Sequence, residues 1–187
     1  MQFLVHSWSD LIVHLMAMAA EIRKRPEQPD VIVAIARGGL TVAHILSDLL
    51  SLPVASFTVS SYSGLKRNTD QHMAFELGGR LDGKHVLLVD DVSDSGHTFV
   101  RAIKYLRKNG ADNITTAAVF TKPESKHPPD VFAQQTDAWV IFPFDILENI
   151  REIREKLRAD GMSEDDILQK FILHHIPANY LLLLSEP

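Results

Sequence analysis

Two short runs, Val31-Ile-Val-Ala-Ile35 and Val86-Leu-Leu-Val89, constrain this chain more than any other feature. Each is apolar at every position, so neither keeps a face for water. A strand of that kind is covered on both sides, and the cover must come from helices of the same chain. The segments between the runs supply them. Leu11, Ile12, Leu15, Ala19 and Ile22 recur at helical spacing after Ser7 and Ser9, either of which can cap a helix. Arg23-Lys24-Arg25 suits that helix's C-terminal end, and Pro26 and Pro29 stop it. Residues 40–50 and 97–109 are helical in pattern, the second closed by Gly110. A β-rich stretch at 54–62, a third buried strand at 114–120 and a fourth at 139–142 complete the alternation. The expected fold is α/β: a mostly parallel, roughly five-stranded sheet with flanking helices.

Length and composition bound the function. A chain of 187 residues is one domain with at most a small appendage. With 45% hydrophobic and 23% charged residues it can bury an ordinary core. A net charge of −5 argues against a generic nucleic-acid-binding surface. There are no cysteines, which removes disulfides, thiol catalysis and Cys-ligated metals together. The first residues lack a basic segment followed by a long apolar one, and no apolar run approaches the ~18 residues of a membrane helix. The expected compartment is the cytoplasm, with no membrane partner.

The character changes after Asp145. We divide the chain into residues 1–146 and a helical extension, 147–187, in which Glu152 and Lys156 stand at i,i+4 and Ser163-Glu-Asp-Asp166 resembles a capping box. Residues 63–79 form a polar, weakly periodic loop, long for a compact domain and expected to be a lid or mobile. Its Lys66 and Arg67 read as solvated charge. The nine histidines form no metal constellation, and His174-His175 reads as surface or packing.

Chemistry concentrates in Val86-Leu-Leu-Val-Asp90-Asp91-Val-Ser-Asp94-Ser95-Gly96-His97-Thr98. A buried strand delivers Asp90 and Asp91 at its C-terminal end, where open α/β sheets bind ligands. Alternation along a strand sends neighbours to opposite sides, so the pair is not expected to chelate one metal directly. A small, hydroxyl-rich turn then opens a helix. That helix's N-terminal N–H groups, the Ser95 and Thr98 hydroxyls and a backbone freed at Gly96 suit a phosphate. Capping acids in a turn are the plainer reading for a single Asp, but not for this whole segment.

Across all thirteen positions this segment resembles the phosphoribosyl-diphosphate (PRPP) motif of type I phosphoribosyltransferases. The resemblance implies that Asp90 and Asp91 hold the ribose hydroxyls and the shell of a Mg²⁺ ion. It places Asp94 near the base nitrogen that forms the new bond, with Asp94, Ser95, Gly96, His97 and Thr98 around the 5′-phosphate. Ala36-Arg37-Gly38-Gly39 resembles the family's pyrophosphate loop, in which the peptide before the arginine is often cis. Ser61-Tyr62 resembles the pair heading the family's catalytic lid.

Lys122, after the third strand, and Trp139-Val140 resemble the base-recognition features of the 6-oxopurine branch. There Lys122 donates to O6, Trp139 stacks and the Val140 backbone reads the base edge. In isolation these would be a loop lysine and a core aromatic. Asp145 lies where some relatives carry an acid near the metal. The family further implies a small hood from the chain's two ends and a homodimer or homotetramer. The implied activity is transfer of a phosphoribosyl group from PRPP to guanine, xanthine or hypoxanthine. The alternatives are a non-catalytic PRPP-sensing regulator and a transferase for another nucleobase.

Overall fold

The computed structural model of the chain describes residues 2–59 and 73–184. In chain order its elements are β1 (Phe3–Val5), α1 (Trp8–Lys24), β2 (Val31–Ala36), α2 (Gly38–Leu50), β3 (Val54–Val59), β4 (Met73–Phe75) and β5 (His85–Ser93). There follow α3 (His97–Lys108), β6 (Asn113–Thr121), β7 (Val131–Gln135), β8 (Trp139–Ile141), α4 (Ile146–Ala159), α5 (Glu164–Leu173) and α6 (Ala178–Leu182). The chain divides into two compact units: Ile12–Asp137, and Met1–Leu11 with Ala138–Pro187. No helix among the described residues is long and apolar enough to cross a membrane.

The larger unit is built on a six-stranded sheet of order β4-β3-β2-β5-β6-β7. From β3 to β7 every pairing is parallel; β4 adds an antiparallel edge beside β3. The five parallel strands match the expectation, and the sixth lies within the stretch expected as loop 63–79. The apolar runs behave as their composition requires. Val33, Ile35, Val86 and Leu88 join Phe57, Phe99, Ala102 and Leu106 in one buried cluster. The alternate residues Ile32, Ala34, Leu87 and Val89 face the other way and are buried too. α2, whose Val42, Ala43 and Leu46 are buried, packs on β2 and β5.

The fourth strand is a correction. Residues 139–141 do not extend this sheet. Trp139, Val140 and Ile141 pair in parallel with Phe3, Leu4 and Val5 in a separate two-stranded sheet. The place beside β6 belongs to β7, which follows Pro128-Pro129 and buries only Val131 of its residues. An edge strand buried at one position carries neither an apolar run nor a clean alternation, so its sequence is silent.

The smaller unit unites both ends of the chain. Phe3 and Ile141 share a core with Ile146, Ile150, Ile153 and Leu157 of α4, Ile167 and Phe171 of α5, and Ile176. Reciprocal caps start α1 and α5. The Ser7 hydroxyl donates to Asp10 at 2.6 Å and accepts from the Asp10 N–H at 3.1 Å. Ser163 and Asp166 repeat the pattern at 2.5 and 3.2 Å. Phe171 is fully buried in this core, whereas Leu173, two residues on, is 76% exposed. Phe171→Ala is expected to cost ~3–5 kcal/mol and Leu173→Ala less than about 0.5 kcal/mol, read as shifts in urea unfolding curves.

Candidate active site

β2 leads through α2 to β3 on one side of the sheet, and β5 leads through α3 to β6 on the other. The two strands are adjacent, so the connections diverge between them, and a crevice opens at their carboxyl ends. Residues 36–39 and 90–98 sit at those two ends. The register shows how they meet. β2 pairs with β5 only as far as Ala34 beside Val89. β5 continues along β6 through Asp90, Val92 and Ser93. The acids therefore do not end their strand, as the sequence suggested; they lie where β5 outlasts β2 and faces the start of α2.

That encounter is tight. Gly38 and Gly39 are the first residues of α2, not a turn ahead of it. A Cβ on Gly38 would collide with the Asp91 carboxyl, and one on Gly39 with the Val89 carbonyl oxygen. Only glycine admits this approach. The Ala36–Arg37 peptide bond is cis. The Asp91 N–H donates to Asp90 Oδ1 at 3.0 Å, and the Val92 N–H to Asp91 Oδ1 at 2.7 Å. Burial pushes the Asp90 carboxyl well above the ordinary carboxylate range, and the Asp91 charge pushes it further. Hydrogen bonds from the Asp91 and Gly39 N–H groups pull the other way and do not prevail. Each acid thus accepts from the backbone N–H of the residue that follows it.

Asp94 and Ser95 are exposed in the bend between β5 and α3. Gly96 follows with φ +77°, at the N-cap of α3, which has no side-chain cap. The first N–H groups of α3, starting at His97 and Thr98, therefore stand at a helix N-terminus where an anion is favoured. A Cβ on Gly96 would lie 2.5 Å from the His127 backbone nitrogen and 2.8 Å from Ser125 Oγ. The loop after β6 is in fact stapled to this turn. The Lys122 N–H donates to the Ser93 carbonyl at 2.9 Å, and the Lys126 N–H to the Ser95 carbonyl at 3.1 Å. Ser93 Oγ lies 2.9 Å from Ser125 Oγ and donates to the His127 carbonyl at 3.0 Å, both serines buried. Lys122 and the turn are thereby one assembly. Ser93, Ser125 and His127 escaped the sequence reading, because small polar residues in a loop give no signal until their partners are known.

Among the described residues no group of three or more His, Cys, Asp and Glu could hold a metal. Two carboxylates alone suit a hard cation that keeps water and takes its remaining ligands from substrate phosphates.

Trp139, Val140 and Asp145 lie in the smaller unit. Val140 is buried in β8. Trp139 is half-buried against that unit's core. Asp145 Oδ1 accepts from the Phe142 N–H at 3.0 Å, closing the turn ahead of α4. Ser61, Tyr62, Lys66 and Arg67 lie outside the described residues.

Comparison with known proteins points one way. The family of phosphoribosyl transferase domains matches residues 5–149. A xanthine-guanine phosphoribosyltransferase of Idiomarina loihiensis is 32% identical over 144 residues, 75% of this chain and 85% of that one. An orotate phosphoribosyltransferase of Staphylococcus haemolyticus is 30% identical over 139 residues, 74% and 63% of the two chains. The crystal structure of a purine phosphoribosyltransferase from Pyrococcus horikoshii superposes with a TM-score of 0.70 at 34% identity, over 77% of this chain and 95% of that one.

Two outcomes follow from this geometry. A carboxyl whose pKa is raised by folding costs stability once pH exceeds its unfolded value, about 3.9, and the cost is complete above the folded value. Asp90→Asn removes the titration, so its Tm should exceed wild type at pH 7, with the gap closing as pH falls below about 4. Differential scanning calorimetry across pH reads this. Ser125→Ala leaves the buried Ser93 hydroxyl one partner short, and a loss of ~1–3 kcal/mol is expected in chemical unfolding.

Proposed function

Because the chain belongs to the family of phosphoribosyl transferase domains, we propose that it transfers the phosphoribosyl group of PRPP to a 6-oxopurine, releasing pyrophosphate and a nucleoside 5′-monophosphate. The observation that carries this reading is the closure of Gly38 and Gly39 onto Asp90 and Asp91, beside an α3 N-terminus with no side-chain cap. It supports a reading in which an anion is bound at each end of a ribose, on either side of two carboxylates. Purine as the acceptor is supported by the similarity to purine transferases and by Lys122, a donor suited to O6, held on the turn that would grip the 5′-phosphate.

In this reading the N–H groups from Ser95 to Thr98 bind the 5′-phosphate, and Arg37 with the N–H groups of residues 37–39 binds the pyrophosphate. Asp90 and Asp91 accept from the ribose hydroxyls and would be the residues to hold a Mg²⁺ ion. When bound, Mg²⁺ supplies charge that makes pyrophosphate a better leaving group. The bond from C1′ to the pyrophosphate oxygen breaks as the bond from purine N9 forms. Asp94 takes or orients the N7 proton, so that charge does not build up on the base. Trp139 stacks on the purine and Val140 presents backbone groups to its edge. Ser61 and Tyr62 head the lid that excludes water from the cationic C1′.

Assembly as a homodimer or homotetramer belongs to the same proposal. The exposure of Ile12, Val13 and Met16 on α1 supports it.

Asp94→Asn keeps the size of the side chain and removes the proton acceptor. It should lower kcat by ~10²–10⁴-fold while leaving PRPP affinity nearly unchanged. Steady-state kinetics with guanine, xanthine, hypoxanthine, adenine, uracil and orotate form the test. Turnover confined to uracil or orotate would sink the purine assignment, and no turnover with any base would leave a PRPP-binding protein.

A further inference from the structure

His127 belongs to no motif of the sequence, yet the loop after β6 brings it against the turn of residues 94–98, within the larger unit. It meets the borders of that turn at three places. A Cβ on Gly96, the N-cap of α3, would lie 2.5 Å from the His127 nitrogen and 3.1 Å from the His127 Cβ. The Ser93 hydroxyl, at the end of β5, donates to the His127 carbonyl at 3.0 Å. The imidazole lies against Phe99 in the first turn of α3, with ring centroids 5.8 Å apart and planes 34° from parallel. Phe99 is itself fixed, buried in the core with Val33 and Ile35 of β2 and Val86 and Leu88 of β5. One residue therefore touches the strand end, the cap and the first helical turn.

Two features show how His127 acts. Pro128 follows it, and a residue before proline is pushed out of the helical region into extended backbone. The orientation of the His127 carbonyl is thus restricted by sequence. The ring works by shape. Its Nε2 is buried with no hydrogen-bond partner among the described residues, which is unfavourable, so its packing on Phe99 and not a bond at that atom accounts for its place. Gly96 offers no side chain to cap α3, and the direction of the first N–H groups depends on what packs against the turn.

We propose that His127 is a positioning residue: acting through Gly96, Ser93 and Phe99, it holds residues 94–98 in the conformation that takes a phosphate monoester, without itself meeting the ligand. The inference rests on that turn being the 5′-phosphate site. A turn already held costs little to order on binding, whereas ordering a loose one draws on the binding energy. Loss of the ring should therefore weaken phosphate binding and leave the saturated enzyme unchanged.

The probe is ribose 5-phosphate, titrated calorimetrically into the whole chain, beside steady-state kinetics with PRPP and the best base. His127→Ala should raise the ribose 5-phosphate Kd and the PRPP KM by about 10-fold and keep kcat within about 2-fold. His127→Phe keeps a flat ring and removes the buried nitrogen, so it should restore both constants with a Tm no lower than wild type. Pro128→Gly, at an exposed position, frees the same backbone without opening the core and should weaken ribose 5-phosphate in the same direction. It carries the test if His127→Ala does not fold. Wild-type affinity in every folded variant of these two overturns the positioning role, and so does a folded His127→Phe that binds as weakly as His127→Ala. If wild type itself does not bind ribose 5-phosphate, the phosphate reading of the turn fails and the inference goes with it.

Discussion

The close approach of α2's first turn to Asp90 and Asp91 is the contact on which the rest of the larger unit's site depends. It requires β2 and β5 to be parallel neighbours with the register that stops their pairing at Ala34 and Val89. It requires glycine at positions 38 and 39, where any side chain would strike the Asp91 carboxyl or the Val89 carbonyl. A helix N-terminus is thus delivered against two acids, and backbone N–H groups and carboxylates line the same crevice.

Burial and the neighbouring Asp91 charge raise the Asp90 carboxyl well above its ordinary range. The surrounding structure keeps the pair in place. Asp90 is locked into the ladder with β6, and beyond it the buried Ser93–Ser125 contact ties the phosphate turn to the loop bearing Lys122. A shift of that turn therefore moves Lys122 as well.

The smaller unit follows a different logic. Three residues from the N-terminus supply one strand, three from position 139 the other, and a two-stranded sheet of that size is marginal in water. Its stability comes from α4 and α5, whose Ile150, Ile153 and Phe171 are fully buried against Phe3 and Ile141. The helices that stabilise the strand also reach Trp139, through Asn149 and Lys156. Structural support and control of the aromatic ring are supplied by the same helix.

What the sequence determined by itself was local and periodic. Val31–Ile35 and Val86–Val89 can only be strands buried on both faces, and that demands a helix-covered parallel sheet. The strand–acid–turn–helix order of residues 86–98 is legible because it is built from consecutive residues. Ser7, Ser163 and Gly110 punctuate helices for reasons confined to a single turn. The tertiary structure decided whatever depends on a partner distant in the chain. The pairing of residues 139–141 with 3–5, the edge strand at 131–135 and the buried serines at 93 and 125 are settled by what lies beside them, and short polar or singly buried segments leave no periodic trace. The approach of Gly38 to the Asp91 carboxyl and of Gly39 to the Val89 carbonyl belongs to this second group, because it depends on how β2 and β5 pair and on where that pairing stops.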